Sequence, residues 1–212
     1  MKTITDYLLF WGKAGGELPG EPGWHPAAYH NLDVAAVAGV LLDVNPRRLA
    51  RMARRLGTSP ANARQLIVTL IALHDVGKFA EAFQCKVQER WPQPALGDFK
   101  HRIGPRHDQT SFDLREKLDF FALLGPSFDD GWRPSHVAAI WSAIAGHHGK
   151  PVDRNGSTEI VDGALRAGID NALAFAKDAA LLFGPYAGLG KPQQSDLVIL
   201  SWSLAGLAVL AD

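Results

Sequence analysis

The sequence predicts an all-α fold, and three observations support this class. Apolar residues recur at spacings of three and four in successive segments, which places them on one face of a helix. Signals that begin or end helices separate these segments, among them Asn45 with Pro46, Gly57, and Ser59 with Pro60. No run alternates strictly between apolar and polar residues, as a half-buried strand would. With 212 residues, 47% of them hydrophobic, the whole chain is expected to form one domain with its own core.

The first predicted helix carries a histidine near its start. An apolar segment at residues 7–11 and a loop rich in glycine and proline at residues 15–23 precede it. Helical periodicity begins near Pro26 and continues over residues 27–42. His30 is therefore expected in the first or second turn of this helix.

The second predicted helix separates apolar residues from arginines. Asn45 and Pro46 begin it, and Gly57 ends it. One of its faces carries Arg47, Arg48, Arg51, Arg54 and Arg55. We interpret this arginine face as solvated and outside the active site, with docking on nucleic acid or on a protein partner as the alternative.

The remaining helices are predicted to bring further histidines to their ends. Ser59 and Pro60 begin an apolar helix that runs to His74 and Asp75. Residues 91–106 hold prolines and glycines without periodicity, which predicts a long functional loop. Three more segments are predicted as helices: residues 109–124, a segment capped by Ser135 that ends at Gly146, and residues 164–183, with a last helix from Ser195 to the end.

Charge, cysteine content and terminal segments exclude several classes of protein. Twenty-two basic and twenty-two acidic residues leave a net charge of zero, so any binding of phosphate must be local. The single Cys85 excludes an internal disulfide and a thiolate-rich zinc site, which favours a cytoplasmic protein. The N-terminus lacks a signal-peptide pattern. The apolar run at residues 197–211 is shorter than the ~20 residues of a membrane span, so we predict a central core helix and no membrane.

Histidines cluster at the predicted helix ends. Adjacent side chains on a regular helix point about 100° apart, so His147 and His148 can serve one centre only where the helix ends. Flanking glycines provide that end, and Gly77 does the same after His74 and Asp75 while letting another group approach closely. Together with His30 and His107, these residues indicate nitrogen-and-oxygen sites for two cations such as manganese, iron, cobalt, nickel or zinc. Occupancy is expected to fall as the imidazoles protonate near their ordinary pKa of ~6.5.

Several motifs stand in a characteristic order along the chain. They are residues 24–26, 30–38, 73–79 with 82–84, Arg106 with His107, 145–151 and 207–212. With these motifs the chain resembles the HD nuclease domain of the CRISPR type I helicase-nuclease over nearly its whole length. Paired His147 and His148, and Phe83 with Gln84, distinguish this branch from the generic HD superfamily. The resemblance implies a single HD-superfamily helical domain with a metal site at converging helix ends.

The resemblance also implies a centre for two divalent transition-metal ions, namely Mn, Fe, Co or Ni rather than Mg or Zn. The implied ligands of the first ion are His30, His74, Asp75 and Asp212. Those of the second are Asp75, His107, His147 and His148, so that Asp75 bridges. In this two-metal arrangement a metal-bound hydroxide attacks phosphorus and Lys78 steadies the phosphate, which makes Asp75 and Lys78 the candidate catalytic residues.

The implied function is a metal-dependent endodeoxyribonuclease that hydrolyses phosphodiester bonds of single-stranded DNA in CRISPR type I interference. The implied partners are single-stranded DNA, a CRISPR helicase domain or subunit and the CRISPR surveillance (Cascade-type) complex, with the domain itself a monomer. Because relatives continue past their last aspartate into a helicase, we expect the N-terminal part of a longer nuclease-helicase or a stand-alone nuclease subunit. Two alternatives remain open: an HD phosphohydrolase acting on nucleotides or cyclic dinucleotides, and an inactive docking module.

Overall fold

The computed structural model describes residues 6–15, 23–118, 131–149, 152, 166–184, 188–191 and 193–212. Across these residues the chain is mostly helical, which confirms the all-α class. The α-helices are α1 (Ala27–Asp43), α2 (Pro46–Leu56), α3 (Pro60–Ala72), α4 (Glu81–Gln84), α5 (Gln93–Leu96), α6 (His107–Asp113), α7 (Pro134–Ala145), α8 (Arg166–Phe183) and α9 (Gln194–Ala211). Short 3-10 helices lie at Asp6–Leu9, Val76–Phe79, Gln88–Arg90 and Leu114–Glu116.

Two short strands form a small sheet that the sequence does not predict. Strand β1 (Trp11–Ala14) pairs antiparallel with β2 (Trp24–Pro26), and Lys13 lies opposite His25. Neither strand is long enough for an alternating pattern to be visible in the sequence. The sheet matters because it fixes the backbone of β1 beside the start of α1.

Most predicted helix boundaries are confirmed, and their caps explain why. The side chain of Asn45 accepts a hydrogen bond from the backbone of Arg48 at the start of α2. Gly57 ends α2 with a φ of 63°, a left-handed conformation that glycine adopts without strain. Ser59 accepts a hydrogen bond from the backbone of Asn62 at the start of α3.

Two predicted helix starts and one predicted loop differ from the structure. Helix α7 begins at Pro134, with Arg133 rather than Ser135 as its N-cap, because proline suits the first helical position. Helix α6 begins two residues earlier than predicted, at His107, and the predicted loop at 91–106 contains α5. The parts of the predictions at residues 16–22, 119–124 and 164–165 lie outside the described residues.

Helix α3 is the central helix of the core. Its residues from Leu66 to Ala72 are all buried, and it packs against α1, α2, α7 and α8. The sequence predicts this place for the C-terminal helix, but α9 buries one face against α7 and α1 and exposes the other, where Trp202 is 71% exposed. Helix α9 has the length and apolar composition of a membrane span, properties that a packed helix of a domain core can share.

The arginine face of α2 is only partly solvated. Arg48 donates a hydrogen bond of 2.9 Å to the carbonyl of Ser203 on α9, and Arg55 lies 3.6 Å from a carboxylate oxygen of Asp196. Arg51 is exposed and, with Arg48 and Arg55, lines a groove of about 340 Å³ between α2 and α9. Two of the five arginines therefore join α2 to α9.

Candidate metal centre

Five helix ends meet at one point, and all seven predicted ligand residues lie there. His30 occupies the first turn of α1, and His107 is the first residue of α6. The other five residues follow the last turns of three helices: His74 and Asp75 after α3, His147 and His148 after α7, and Asp212 after α9. Donor atoms of His30, His74 and Asp75 lie within 4.8 Å of one another, as do those of His107, His147 and His148.

Asp75 lies in the middle of this cluster and divides it into two sides. Its Oδ1 atom is 3.3 Å from Nε2 of His107 and 3.5 Å from Nε2 of His147. Its Oδ2 atom is 3.3 Å from Nε2 of His30 and 3.7 Å from Nε2 of His74. Each carboxylate oxygen therefore faces a different pair of imidazoles.

The two outer residues extend these sides. Oδ1 of Asp212 lies 3.3 Å from Nε2 of His30, on the Oδ2 side of Asp75. Nε2 of His148 lies 2.9 Å from Nε2 of His107, on the Oδ1 side. The two sides share Asp75 and also adjoin each other, because donor atoms of His74, His147 and Asp212 lie within 4.8 Å of one another.

Hydrogen bonds hold His74 and Asp75 in place after the last turn of α3. The side-chain oxygen of Asn31 accepts from the backbone N–H of Asp75 at 3.2 Å, and the Asn31 amide donates to the carbonyl of Ala27 at 2.8 Å. Nδ1 of His74 lies 2.8 Å from the carbonyl of Ile71. That contact places the ring proton on Nδ1, so the lone pair of Nε2 points into the cluster.

Gly77 confirms the prediction that another group approaches closely after the His-Asp pair. An added Cβ at Gly77 would collide with the carbonyl of His107 and lie 2.6 Å from the backbone nitrogen of Ser111. The N–H of Gly77 donates to Oγ of Ser111 at 2.8 Å, and Nε1 of Trp141 on α7 donates to the Ser111 carbonyl at 2.7 Å. These contacts hold α6 and α7 close to Asp75.

Lys78 lies deeper than a phosphate-binding residue is expected to lie. Its side chain is 8% exposed, and its Nζ atom is 2.5 Å from Oδ2 of Asp75. The ammonium also lies 5.7 Å from the centre of the Phe83 ring. Lys78 therefore contacts the central carboxylate from inside the protein.

Lys13 is a site residue that the sequence reasoning missed. Its Nζ atom lies 3.4 Å from Oδ1 of Asp212. The preceding residues are tightly held, because the backbone and the indole of Trp11 both donate hydrogen bonds of 3.1 Å to Gln84. The sequence signal for Lys13 was the Trp-Gly-Lys order at residues 11–13. This segment is too short to show the periodicity that would have placed it next to a helix.

The donor atoms fit a divalent cation. Nε2 of His30, Nε2 of His74 and both ring nitrogens of His147 are buried without a hydrogen-bond partner among the described residues. Both carboxylate oxygens of Asp75 likewise lack a hydrogen-bond partner among the described residues, and apart from the site imidazoles Oδ2 contacts Lys78. Such atoms are costly when left unpaired. Nitrogen and oxygen atoms that share one ion at ~2.1 Å lie roughly 3–3.5 Å apart, close to the separations around Asp75.

Burial lowers the pKa values of the site histidines. It brings the pKa of His74 to about 3 and the pKa of His107 to about 4, although the charge of Asp75 acts in the opposite direction. Burial lowers the pKa of His147 as well. At neutral pH these imidazoles are therefore uncharged, which is the form that binds a cation. In the metal-free protein His74 and His107 therefore stay neutral at pH values well below the ordinary histidine pKa of ~6.5.

The two carboxylates are ionised for a different reason. Burial alone would raise the pKa of Asp75, but the neighbouring histidines and Lys78 hold that pKa well below its ordinary value. Burial would also raise the pKa of Asp212, but two of the same histidines and Lys13 lower it on balance. The cluster therefore offers neutral nitrogen and anionic oxygen donors together.

Known proteins share both the sequence motifs and the fold. The profile of the family described as "Cas3, HD domain" matches residues 11–212. The CRISPR-associated endonuclease/helicase Cas3 of Escherichia coli (strain K12) is 31% identical over 156 residues, which cover 66% of this chain. The chain spans only 17% of that relative's length.

Two solved structures have the same fold. The crystal structure of the Thermus thermophilus cas3 HD domain in the presence of Ni2+ has a TM-score of 0.61 at 21% identity, covering 98% of this chain and 77% of that one. A chain of a CRISPR RNA-guided surveillance complex, in a pre-nicking state, has a TM-score of 0.68 at 21% identity, covering 96% of this chain and 24% of that one. The family profile spans almost all of the chain, and the fold agrees with it. The chain therefore belongs to the Cas3 HD domain family of metal-dependent phosphohydrolases.

Proposed function

We propose that this domain is a metal-dependent nuclease that hydrolyses phosphodiester bonds of single-stranded DNA in CRISPR type I interference. The observation that carries the proposal is the position of Asp75, whose two oxygens face two separate sets of imidazoles at 3.3–3.7 Å. A carboxylate can bridge two cations, whereas a neutral imidazole cannot. This arrangement supports a pair of ions rather than one.

The proposed ligand sets follow the two sides of Asp75. The first set is His30, His74, Asp75 and Asp212, and the second is Asp75, His107, His147 and His148. The donor types suit Mn, Fe, Co or Ni, and the T. thermophilus HD domain structure, obtained in the presence of Ni2+, supports this class. Bound ions of this kind lower the pKa of water and offset charge on a phosphoryl group.

The residues of the chain have distinct tasks in this proposal. Asp75 orients both ligand sets, because one pair of imidazoles lies at each of its two oxygens. Lys78, buried against Asp75, offsets negative charge that would otherwise repel an incoming phosphate. His74 keeps its orientation through the Ile71 carbonyl, so its lone pair needs no rearrangement during the reaction.

Single-stranded DNA is the proposed substrate because of charge and shape. A chain with net charge zero cannot hold a duplex by long-range attraction, so capture must be local. A flexible single strand can bend one phosphate towards a buried cluster at converging helix ends, which a stiff duplex resists. The E. coli relative is an endonuclease/helicase, which supports the same substrate, since unwinding yields single strands.

The proposed partners follow from the relatives. We infer that the domain works in the cytoplasm, as a monomer, with a CRISPR helicase domain or subunit. The pre-nicking surveillance complex among the similar structures supports recruitment by a Cascade-type complex. The match covers 17% of the E. coli relative, so the rest of that relative's polypeptide is long enough to hold a helicase.

The test compares substrates and one matched control. Purified domain is incubated with manganese or nickel at low salt and with circular single-stranded DNA, relaxed duplex circles or nucleoside triphosphates. We expect cutting of the single-stranded circles, its loss in His74→Ala, and no change in His101→Ala, whose histidine is exposed outside the cluster. Equal rates on both circles would contradict the substrate proposal. Hydrolysis of triphosphates without cutting of DNA would contradict the nuclease proposal and favour an HD nucleotide phosphohydrolase.

A further inference from the structure

Lys13 is an exposed cation at the edge of the metal centre. Its side chain is 54% exposed, whereas that of Lys78 is 8% exposed. Both lysines contact a site carboxylate, Lys13 at Asp212 and Lys78 at Asp75. Of these two lysines, only Lys13 faces solvent.

The backbone beneath Lys13 is built to hold it in place. The N–H of Trp11 donates to the side chain of Gln84, and the Gln84 amide donates to the carbonyls of Trp11 at 2.8 Å and Lys78 at 2.7 Å. At Gly12 an added Cβ would lie 2.7 Å from Cα of Ala27, so the strand lies directly on the first turn of α1. Strand β1 is thus fixed against the same turn that carries His30.

The contact of Lys13 with Asp212 is easily exchanged. The two charged atoms are 3.4 Å apart, and the Asp212 side chain is 22% exposed. Ion pairs with this much solvent access contribute little to stability. When Asp212 shares its charge with a bound cation, its attraction for Lys13 falls, and the ammonium is free to meet another anion at the same edge.

We propose that Lys13 binds a backbone phosphate of the DNA strand at the exposed edge of the metal centre, a role for which the sequence alone indicates Lys78. This inference rests on the proposed nuclease function and adds a residue that contacts the substrate. A flexible ammonium on a fixed strand reaches a phosphate that approaches from solvent. Lys78 does not face such a phosphate, because its side chain is only 8% exposed.

The test measures the salt dependence of cleavage. The slope of log(kcat/KM) against log salt concentration is determined on single-stranded DNA for wild type, Lys13→Gln, Lys13→Arg and the control Lys177→Gln. Lys177 is exposed on α8 and makes no described contact with the cluster. Metal content and thermal stability are measured on the same samples, because they report a role that is only structural.

We expect Lys13→Gln to reduce the magnitude of the slope by about 0.7, the value for one phosphate contact on a single strand. Its metal content should equal that of wild type, and Lys13→Arg should restore the slope because a guanidinium also binds phosphate. An unchanged slope in Lys13→Gln would overturn the inference. Loss of metal in proportion to lost activity would also overturn it, because Lys13 would then only position Asp212. Failure of wild type to cut single-stranded DNA would instead contradict the proposed function.

Discussion

At the scale of single residues, the site depends on the surroundings of Asp75. Its two oxygens are chemically equivalent, but one faces His107 and His147 and the other faces His30 and His74. A buried carboxylate in such a place is ionised only because cationic and polar neighbours outweigh the cost of burial. Replacing it should therefore affect both ligand sets at once.

Asp75→Asn tests this dependence. Asparagine has the same shape but carries no charge and cannot bridge two cations through two anionic oxygens. We expect metal content to fall at both sites and cleavage to fall by more than the roughly 10–100-fold typical of residues that only support a ligand. Elemental analysis of protein purified without chelators measures the metal. Full retention of both ions by the variant would show that Asp75 does not bridge.

The buried histidines predict how the metal-free protein responds to acid. His74 has an ordinary pKa of 6.5 when unfolded and a pKa of about 3 when folded. Between these values the unfolded chain binds a proton that the folded chain does not, so stability falls as pH falls from 6.5 towards 3. For His74 alone the loss is roughly 2 kcal/mol at pH 5.

Urea unfolding of the chelated protein at pH 7 and pH 5 measures this loss. A His74→Gln variant, which has no titrating group at that position, should lose less stability over the same interval. Equal losses in the variant and in wild type would contradict the assignment of the effect to His74.

At the scale of secondary-structure elements, close packing around Gly77 sets the site. The turn at Val76–Phe79 touches the start of α6 so closely that a single added carbon would meet the carbonyl of His107. Gly77→Ala is expected to push these elements apart and to cost about 1–3 kcal/mol of unfolding free energy, with a lower metal content. Gly23→Ala is the matched control, because an added Cβ there meets no atom within 4 Å. Equal stability of the two variants would refute this packing argument.

The arginine face of α2 divides into a packed part and an exposed part. Arg48→Glu removes the hydrogen bond to the Ser203 carbonyl on α9, so we expect a loss of about 1–3 kcal/mol in unfolding free energy. Arg54→Glu changes the same charge at an exposed position and should leave stability nearly unchanged. Thermal or urea unfolding distinguishes the two. Metal-dependent cutting of free DNA should persist in Arg54→Glu, and its loss would place that arginine within the active site.

At the scale of the whole molecule, the sequence predicts the helices and the cluster better than the contacts between elements. The pairs His74 with Asp75 and His147 with His148 were visible as cluster residues because the glycines that follow them mark helix ends. Cap residues such as Asn45 and Ser59 predicted boundaries because their hydrogen bonds are local.

What could not be predicted depends on contacts between distant residues. Lys13 and Asp212 are at opposite ends of the chain and meet only because β1 packs on α1 while α9 ends beside it. The burial of Lys78 likewise depends on Phe83 and Asp75 enclosing it, which spacing along the chain does not reveal. The place of α3 as the central helix follows from its burial on all sides rather than from its apolar content, which α9 exceeds.

The central claim is that two cations bridged by Asp75 cut single-stranded DNA in this centre. The most direct measurement titrates manganese into chelated protein and follows, in the same samples, the number of ions bound per chain and the rate of cutting of circular single-stranded DNA. The arrangement around Asp75 predicts two ions per chain and cutting that rises only as the second ion binds. Full activity with one ion bound, or two bound ions without any cutting, would contradict it.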